Sequence, residues 1–319
     1  MAKSLSEEQI IMLFNKIMPK NRILVDDDVS GFKNNRSNIY ISSDMLVEST
    51  DIPPNMNLIQ ASRKSIIMSI SDFASKGIRP KYCNLSLGIP KTYSLNDVKK
   101  LVKGFNSVLK EYDIILLGGD TNSSEELVID STLVGFSNFT IPKRTNAKNN
   151  DIVYCLGTFG LTGAGMHLSL NNLKPSNNFE KQAINSILNP IVELDIFIKL
   201  VKNNLINSSI DSSDGLCSSL YKIAELSKVS IQIDSIPFNS KLKNFSDKFN
   251  LCINDLILYS GEEYNIIFTV KPNNVKKCDT LLLNNNINFN KIGSVSSGKS
   301  IVSYKNKILK NRGWDGFSQ

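Results

Sequence analysis

A polar, basic, asparagine-rich stretch, residues 142–150, interrupts this chain near its middle, and the pattern of strands and helices starts again after it. That break points to two units, 1–140 and 141–319. At 41% hydrophobic content each is long enough to bury a core. In the first unit, Ile10, Ile11, Phe14 and Ile17 recur at helical spacing across 7–18. Residues 38–42 read as a strand ending in Ser42-Ser43-Asp44. A helix is predicted over 63–76, with Ile66, Ile70 and Phe73 on one face and Gly77 and Pro80 as stops. Cys83, Leu85, Leu87 and Ile89 alternate as a strand, 95–112 is a second amphipathic helix, and 114–117 is a strand running into Gly118-Gly119-Asp120. A further strand covers 127–136. In the second unit, strands are predicted at 152–156, 229–233 and 264–270, and residues 208–211 lead through Ser212-Ser213-Asp214-Gly215 into a helix ending at Leu226. Strands and helices mix without strict βαβ alternation, which indicates an α+β chain rather than a doubly wound sheet.

Several function classes fall away. The apolar runs are far shorter than the roughly 20 residues that span a bilayer. The first nine residues carry acids and no apolar signal core, so the cytoplasm is the expected compartment. Five scattered cysteines form no CxxC pair, so neither a zinc site nor a disulfide framework is indicated. The net charge of +7 comes from lysines spread thinly among asparagines, which reads as a solvated surface and not as a nucleic-acid face. His167 is the chain's lone histidine and sits between Met166 and Leu168 on a predicted helix, so packing is its expected role.

The placement of aspartates carries the chemistry. Asp28, Asp44, Asp72, Asp120, Asp211 and Asp214 mostly follow apolar strands, or lie in a helix beside small residues. One such residue is ordinarily a turn or cap; six in similar contexts suggest convergence at one sheet edge. Two carboxylates about 4 Å apart repel by roughly 4 kcal/mol at an effective dielectric near 20. Gathered aspartates therefore need cations, and hard oxygen ligands without Cys or His select Mg²⁺, with Mn²⁺ or Ca²⁺ as alternatives. Mg²⁺ shares its remaining positions with phosphate oxygens, which implies a polyphosphate such as ATP. Phosphoryl transfer asks for positioning and charge neutralisation more than for a histidine base.

Gly118-Gly119-Asp120 fits close approach to a phosphate or nucleotide. Gly157, Gly160, Gly163 and Gly165 form a second glycine-rich turn, open to anion binding or to tight strand–helix packing. Arg144, in the junction, reads equally as a phosphate contact or as an exposed linker residue. Gly293 to Ser300 matches the P-loop pattern GxxxxGK[ST] in full, including Lys299. That motif needs a helix after it. Here residues 301–308 read as a hairpin around Lys305-Asn306, and 19 residues remain after Ser300, so the match is taken as fortuitous.

Seven blocks in order resemble thiamine-monophosphate kinase, of the superfamily that includes aminoimidazole ribonucleotide synthetase. Ser42-Ser43-Asp44-Met45-Leu46-Val47-Glu48 resembles the family's S/T-T-D-x-L-V-E, and the run from Ser71-Asp72 to Gly77 and Pro80 resembles S-D-L-A-A-M-G-A-x-P. Gly118-Gly119-Asp120-Thr121 matches G-G-D-T, and Arg144-Thr145-Asn146-Ala147 resembles R-S-G-A. Ile210-Asp211-Ser212-Ser213-Asp214-Gly215-Leu216 matches I-D-x-S-D-G-L, Ser260-Gly261-Glu262-Glu263-Tyr264 resembles G-G-E-D-Y, and Gly313-Trp314-Asp315-Gly316-Phe317 resembles G-[WY]-D-H-F.

The resemblance implies an α+β, two-domain fold with mixed or antiparallel sheets flanked by helices. Its N-terminal domain would bind ATP and metal and form the homodimer, and its C-terminal domain would complete the active-site cleft. The implied reaction is ATP-dependent phosphorylation of thiamine monophosphate to thiamine diphosphate with several Mg²⁺. By carry-over, Asp28, Ser42, Ser43, Asp44, Asp72, Asp120, Asp211 and Asp214 would hold metal. Gly119, Asp120, Arg144 and Ser213 would contact ATP, and Asp72, Asp120 and Arg144 would carry the catalysis. Glu262 and Trp314 would contact the thiamine moiety, a carboxylate and an aromatic face suited to a cationic ring. Asp51 occupies the position of a substrate-touching histidine, Asp26-Asp27-Asp28 replaces G-D-D, and Asn265 follows Tyr264 where the family has Glu. Other readings are a related ATP-using synthetase, of purine-precursor or selenophosphate type, and a non-catalytic nucleotide-binding regulator.

Overall fold

The computed structural model describes residues 7–19 and 22–313. Its first half contains helix α1 (Glu7–Asn15), strands β1 (Ser30–Lys33) and β2 (Asn38–Val47), a single turn α2 (Glu48–Asp51) and helix α3 (Leu58–Ser75). Strand β3 (Pro80–Pro90), helix α4 (Leu95–Glu111) and strands β4 (Ile115–Ser124) and β5 (Val128–Ser137) follow. These five strands form one sheet in the order β1-β2-β5-β3-β4. Its pairings are antiparallel except β3–β4, which the crossover helix α4 joins in parallel.

After a short 3-10 turn, Arg144–Asn146, come β6 (Ile152–Leu156), α5 (Leu161–Leu170), α6 (Asn178–Leu188), α7 (Leu194–Lys202), β7 (Ser208–Asp211) and α8 (Leu216–Ser227). Then come β8 (Val229–Ile233), α9 (Lys241–Lys248), α10 (Ile253–Leu258), β9 (Ile266–Val270), α11 (Val275–Asn284), β10 (Phe289–Ser297), β11 (Val302–Tyr304) and β12 (Lys307–Ile308). The second sheet runs β12-β11-β8-β10-β6-β9-β7, antiparallel except for β11 beside β8. This is the mixed-sheet α+β architecture expected.

Helix α3 organises the molecule. Asn57 caps it, accepting from the Ile59 and Gln60 amides, and the Gln60 side chain returns the bond to the Asn57 N–H. One side packs on β2 and β5, and another meets α7 and β7 of the second half. A helix covered on several sides must be apolar or small all round. Accordingly Ile66, Ile67, Ile70, Phe73 and Ala74 fill the core, while Ser65, Ser69 and Ser71 let neighbouring backbones come close. The Ser69 hydroxyl donates to the Ser131 carbonyl at 2.9 Å, and the Ser131 hydroxyl donates to the Ser65 carbonyl at 2.7 Å. Gly77, at φ +64°, ends the helix where a Cβ would strike Val201.

The other face of the first sheet is open. Phe32, Met45 and Phe136 are exposed there, and Ile115, Leu116 and Leu117 are exposed along the edge strand β4 on either side of it. The strand predicted to stop at 117 continues through Gly118-Gly119-Asp120 to Ser124. Gly119 is needed for the pairing itself, because a Cβ would lie 1.6 Å from the Leu85 carbonyl oxygen.

Candidate active site

Three buried charged residues lie inside α3 and at its C-terminal cap: Lys64, Asp72 and Lys76. A buried charge left without a partner costs about 3–5 kcal/mol, so each partner shows what the helix is arranged to hold. Lys64 meets the Glu262 carboxylate and donates to the Asp51 carbonyl at 2.6 Å, joining the first half of the chain to the 260–264 loop. Lys76 lies 2.8 Å from the Asp27 carboxylate and donates to the Ser209 carbonyl at 3.1 Å. Asp72 accepts from the Ser42 hydroxyl at 2.5 Å.

The loop Asp26-Asp27-Asp28 is fixed from beneath. Asp26 takes φ +54°, the left-handed geometry a glycine would supply at the position where the family pattern has one. Asp27 is held by Lys76, with the Arg144 guanidinium 3.6 Å away. Arg144 also pairs with Asp28. Arg144 is therefore buried, and the exposed-linker reading is overturned. As placed it stands behind Asp28 and does not line the cleft described below.

With that loop anchored, one carboxylate oxygen each from Asp28, Asp72 and Asp211 falls within 4.8 Å of the others. Asp211 ends β7 and accepts from the Ser71 hydroxyl at 2.7 Å, so α3 supplies partners to both halves of the cluster. Burial pushes the Asp44 carboxyl up to about 6, with the Asp211 and Asp130 charges adding to it. Burial raises Asp72 well above the ordinary carboxylate range, reinforced by Asp44 and Asp211. Asp211 is raised too, chiefly by burial, against the lowering effects of Ser71 and Arg144. Among the described residues, Asp44 Oδ2 and Asp211 Oδ1 are buried and accept no hydrogen bond. Converging hard oxygens, some with no donor, fit a divalent cation such as Mg²⁺.

The cluster opens into a cavity of about 1130 Å³. Asp28, Ser43, Asp44, Asp51, Asp72, Asp211, Ser213, Asp214 and Glu262 all border it. Ser42 lies beneath, buried against Asp72. His167 borders the same space but packs on Phe249 and Phe245, at ring separations of 5.0 and 6.0 Å. Asp51 is turned inward: its carboxylate accepts from the Val47 amide at 2.7 Å. The glycines at the start of α5 sit in close packing: a Cβ at Gly160, in the turn, would strike Leu242, and one at Gly163 or Gly165, within the helix, would strike Ser260 or the Ala183 carbonyl. Glu262 and Tyr264 adopt φ +60° and +51°, strain concentrated in the loop that walls the cavity.

Two expected residues are not brought to the cluster. Gly119 and Asp120 lie on the exposed edge strand. In register, Met45 faces Asp130, Asp130 faces Ser86 and Ser86 faces Asp120. Asp120 is thus three strand spacings from β2, roughly 14 Å at about 4.8 Å each. Within one chain it does not share a cation with Asp44. Trp314 lies outside the described residues, while Gly313 borders the cavity. Lys64, Asp130 and Lys222 were not singled out in the sequence, and Asp27, Glu48 and Lys76 were seen there only as parts of a loop, a motif and a helix, with no role at the site. Of these, Glu48 and Lys222 border the cavity, and Asp130 accepts from the Ser43 hydroxyl at 3.0 Å.

The P-loop look-alike is disposed of by the fold. Gly293 lies in the middle of β10, Gly298 and Lys299 lie in the turn into β11, and no helix follows among the described residues. Lys305 and Asn306, both at positive φ, make the hairpin turn between β11 and β12.

The family model for AIR synthase related protein, N-terminal domain, matches residues 26–137. A thiamine-monophosphate kinase of Nitrosopumilus maritimus is 36% identical, covering 98% of this chain and 99% of its own. Another, from Pyrococcus abyssi, is 31% identical over 99% of this chain and 97% of its own. Among solved structures, AaThiL complexed with AMPPCP and TMP superposes with a TM-score of 0.88 at 26% identity, covering 98% of this chain and 97% of that one. HypE, a hydrogenase maturation protein, shares the fold at 16% identity and a TM-score of 0.73. Full-length identity above 30% to several such enzymes places this chain in the thiamine-monophosphate kinase family.

Proposed function

We propose that this chain performs its family's reaction, the ATP-dependent phosphorylation of thiamine monophosphate to thiamine diphosphate, in the cleft between its two sheets. The observation that carries the reading is the convergence of Asp28, Asp72 and Asp211 within 4.8 Å at the floor of a large cavity, with Asp44 beside them. We read the two sheets as two domains, divided near residue 140, with the cleft between them.

Asp28, Ser42, Ser43, Asp44, Asp72, Asp211 and Asp214 would hold the Mg²⁺ ions. Bound there, Mg²⁺ neutralises phosphate charge and aligns the transferring group. The chain's own contribution is positional. Ser42 and Ser71 orient Asp72 and Asp211, while Lys76 and Arg144 lock the loop that presents Asp28. Ser213 borders the cleft where the nucleotide phosphates would lie. Glu262, held by Lys64, presents a carboxylate to the cationic acceptor. The acceptor's phosphate oxygen is already ionised near neutral pH, so no protein base is assigned; it would attack the γ-phosphorus in line, and ADP would leave. Arg144 acts through Asp28 in this reading and does not touch the nucleotide.

We assign the exposed β4 edge and the open sheet face to contact with a second copy of the chain. Ile115, Leu116 and Leu117, 45–64% exposed on an edge strand that pairs only with β3 among the described residues, support that assignment. It puts Gly119 and Asp120 at the junction of two subunits, where their expected nucleotide contact can be made. No described helix is long and apolar enough to cross a membrane. We place the enzyme in the cytoplasm, where ATP and Mg²⁺ are available.

Purified protein supplied with Mg²⁺, ATP and thiamine monophosphate should release one ADP per thiamine diphosphate formed. ADP release only with a purine precursor or with selenide would move the chain to the synthetase reading.

A further inference from the structure

We propose that Lys222 is a phosphate-binding side chain of the cleft, held in reserve by Asp214 and released when that carboxylate takes a divalent cation. The inference rests on the kinase reading and extends it to a residue that neither the motifs nor the family comparison singles out.

The cavity has a pronounced charge imbalance. Asp28, Asp44, Glu48, Asp51, Asp72, Asp211, Asp214 and Glu262 all border it. Among the described residues, Lys222 is the one lysine or arginine on that lining. The other nearby cations are committed: Lys64 is buried against Glu262, Lys76 against Asp27, and Arg144 against Asp27 and Asp28. Lys222 differs in two respects. Its side chain is 41% exposed, and its partner Asp214, at 2.7 Å, is itself 29% exposed. An ion pair this open is weak and readily exchanged.

The elements make the exchange geometrically easy. Asp214 lies in the turn entering α8, and Lys222 lies two turns along that helix, so the ammonium reaches back over the helix start. A flexible four-carbon stem lets the ammonium swing to an anion without moving the backbone. A cation on Asp214 removes the negative charge that holds Lys222. A phosphate arriving in the same cavity offers oxygens in its place, and a charge-assisted hydrogen bond forms where the ion pair was. Lys222 and the cation thus compete for Asp214 in the free protein and cooperate once phosphate is bound.

The test uses the full chain with Lys222→Met and Lys222→Arg. Mn²⁺ binding to the free protein is followed by electron paramagnetic resonance, without substrates. KM for ATP and KM for thiamine monophosphate are measured separately. Lys222→Met should bind Mn²⁺ about two- to fivefold more tightly, because a competitor for Asp214 is gone. The same variant should raise one KM about tenfold, with a smaller change in kcat. A rise for ATP assigns the contact to the nucleotide, and a rise for thiamine monophosphate assigns it to the acceptor. Lys222→Arg should restore most of the lost affinity. A folded Lys222→Met protein with unchanged Mn²⁺ affinity, or with both KM values within twofold of wild type, overturns the proposal. Failure of the kinase reading looks different: wild type itself forms no thiamine diphosphate, while the Mn²⁺ titration still reports on the pair.

Discussion

Replacing Asp72 by Asn should make the metal-free protein more stable and the working enzyme inert. Each pair among Asp28, Asp72 and Asp211 has carboxylate oxygens within 4.8 Å. At that separation two full charges repel by about 3.5 kcal/mol at an effective dielectric near 20. The Asp72→Asn substitution removes two of the three pairs, a ceiling of about 7 kcal/mol. The chain already lowers that ceiling by holding protons, since Asp72 and Asp211 are raised by burial and Asp72 also by its acidic neighbours. The direction of the shift fixes the pH dependence. A raised folded-state pKa gives stability that is complete below the unfolded value, 3.8 for Asp72, and is lost as pH rises through the folded value. The two proteins should therefore differ least in melting temperature in EDTA at about pH 4 and below, and diverge as pH rises above that. Near pH 8 Asp72→Asn should be more stable by about 2–4 kcal/mol, or about 4–8 °C. The amide oxygen still accepts from Ser42, so the contact at 2.5 Å need not be lost. Millimolar Mg²⁺ should raise the wild-type melting temperature near pH 8 and leave the variant nearly unmoved. Turnover, followed by ADP release, should fall at least about 100-fold. A variant that melts below wild type in EDTA, yet keeps the full Mg²⁺ response, would refute the argument.

Lys299→Ala should leave ATP turnover unchanged, because its turn has no helix behind it; a loss of more than about tenfold would revive a phosphate role. Leu117→Lys, on the exposed edge strand, should shift the protein toward monomer in light scattering and lower activity, whereas an unaltered mass would argue against β4 as the contact. Glu263 is half-buried at its surface, its carboxylate accepts from the Gly160 amide at 2.6 Å, and desolvation by the surrounding protein pushes that carboxyl up to about 7. Its protonated form therefore contributes stability that is present below about 4.5 and lost as pH climbs through about 7. Glu263→Gln should flatten the decline in melting temperature between about pH 5 and 8, by at most about 3 kcal/mol; an unchanged slope would contradict the burial account.

Much of the fold was legible because helices and strands with one buried face print their period in the sequence. Residues 38–47, 80–90 and 128–137 all form strands overlapping the segments read that way. The boundaries failed where tertiary packing or an unread cap overrides the period. Helix α3 begins at Leu58, five residues before the predicted start, because Asn57 and Gln60 form a capping box that hydrophobic spacing does not reveal. Strand β4 runs through Gly118 and Gly119 because both pair with β3, and at Gly119 the Leu85 carbonyl comes too close for a Cβ. The acids of the site were legible by type and context. Their supports were not: Lys76 meets Asp27 across 49 positions and Lys64 meets Glu262 across 198, and no local pattern announces a buried ion pair. Arg144 was visible, but its burial behind Asp28 depends on how the two halves pack. The place of Asp120 follows from strand order, which periodicity does not encode.

The central claim is that Asp28, Asp44, Asp72 and Asp211 together ligate divalent ions that present a nucleotide's phosphates. Crystals grown with Mn²⁺ and a non-hydrolysable ATP analogue, measured at the manganese absorption edge, test it directly. The account requires anomalous peaks about 2 Å from oxygens of Asp72 and Asp211, shared with the analogue's phosphates. An analogue bound elsewhere, with no manganese on those carboxylates, would contradict it.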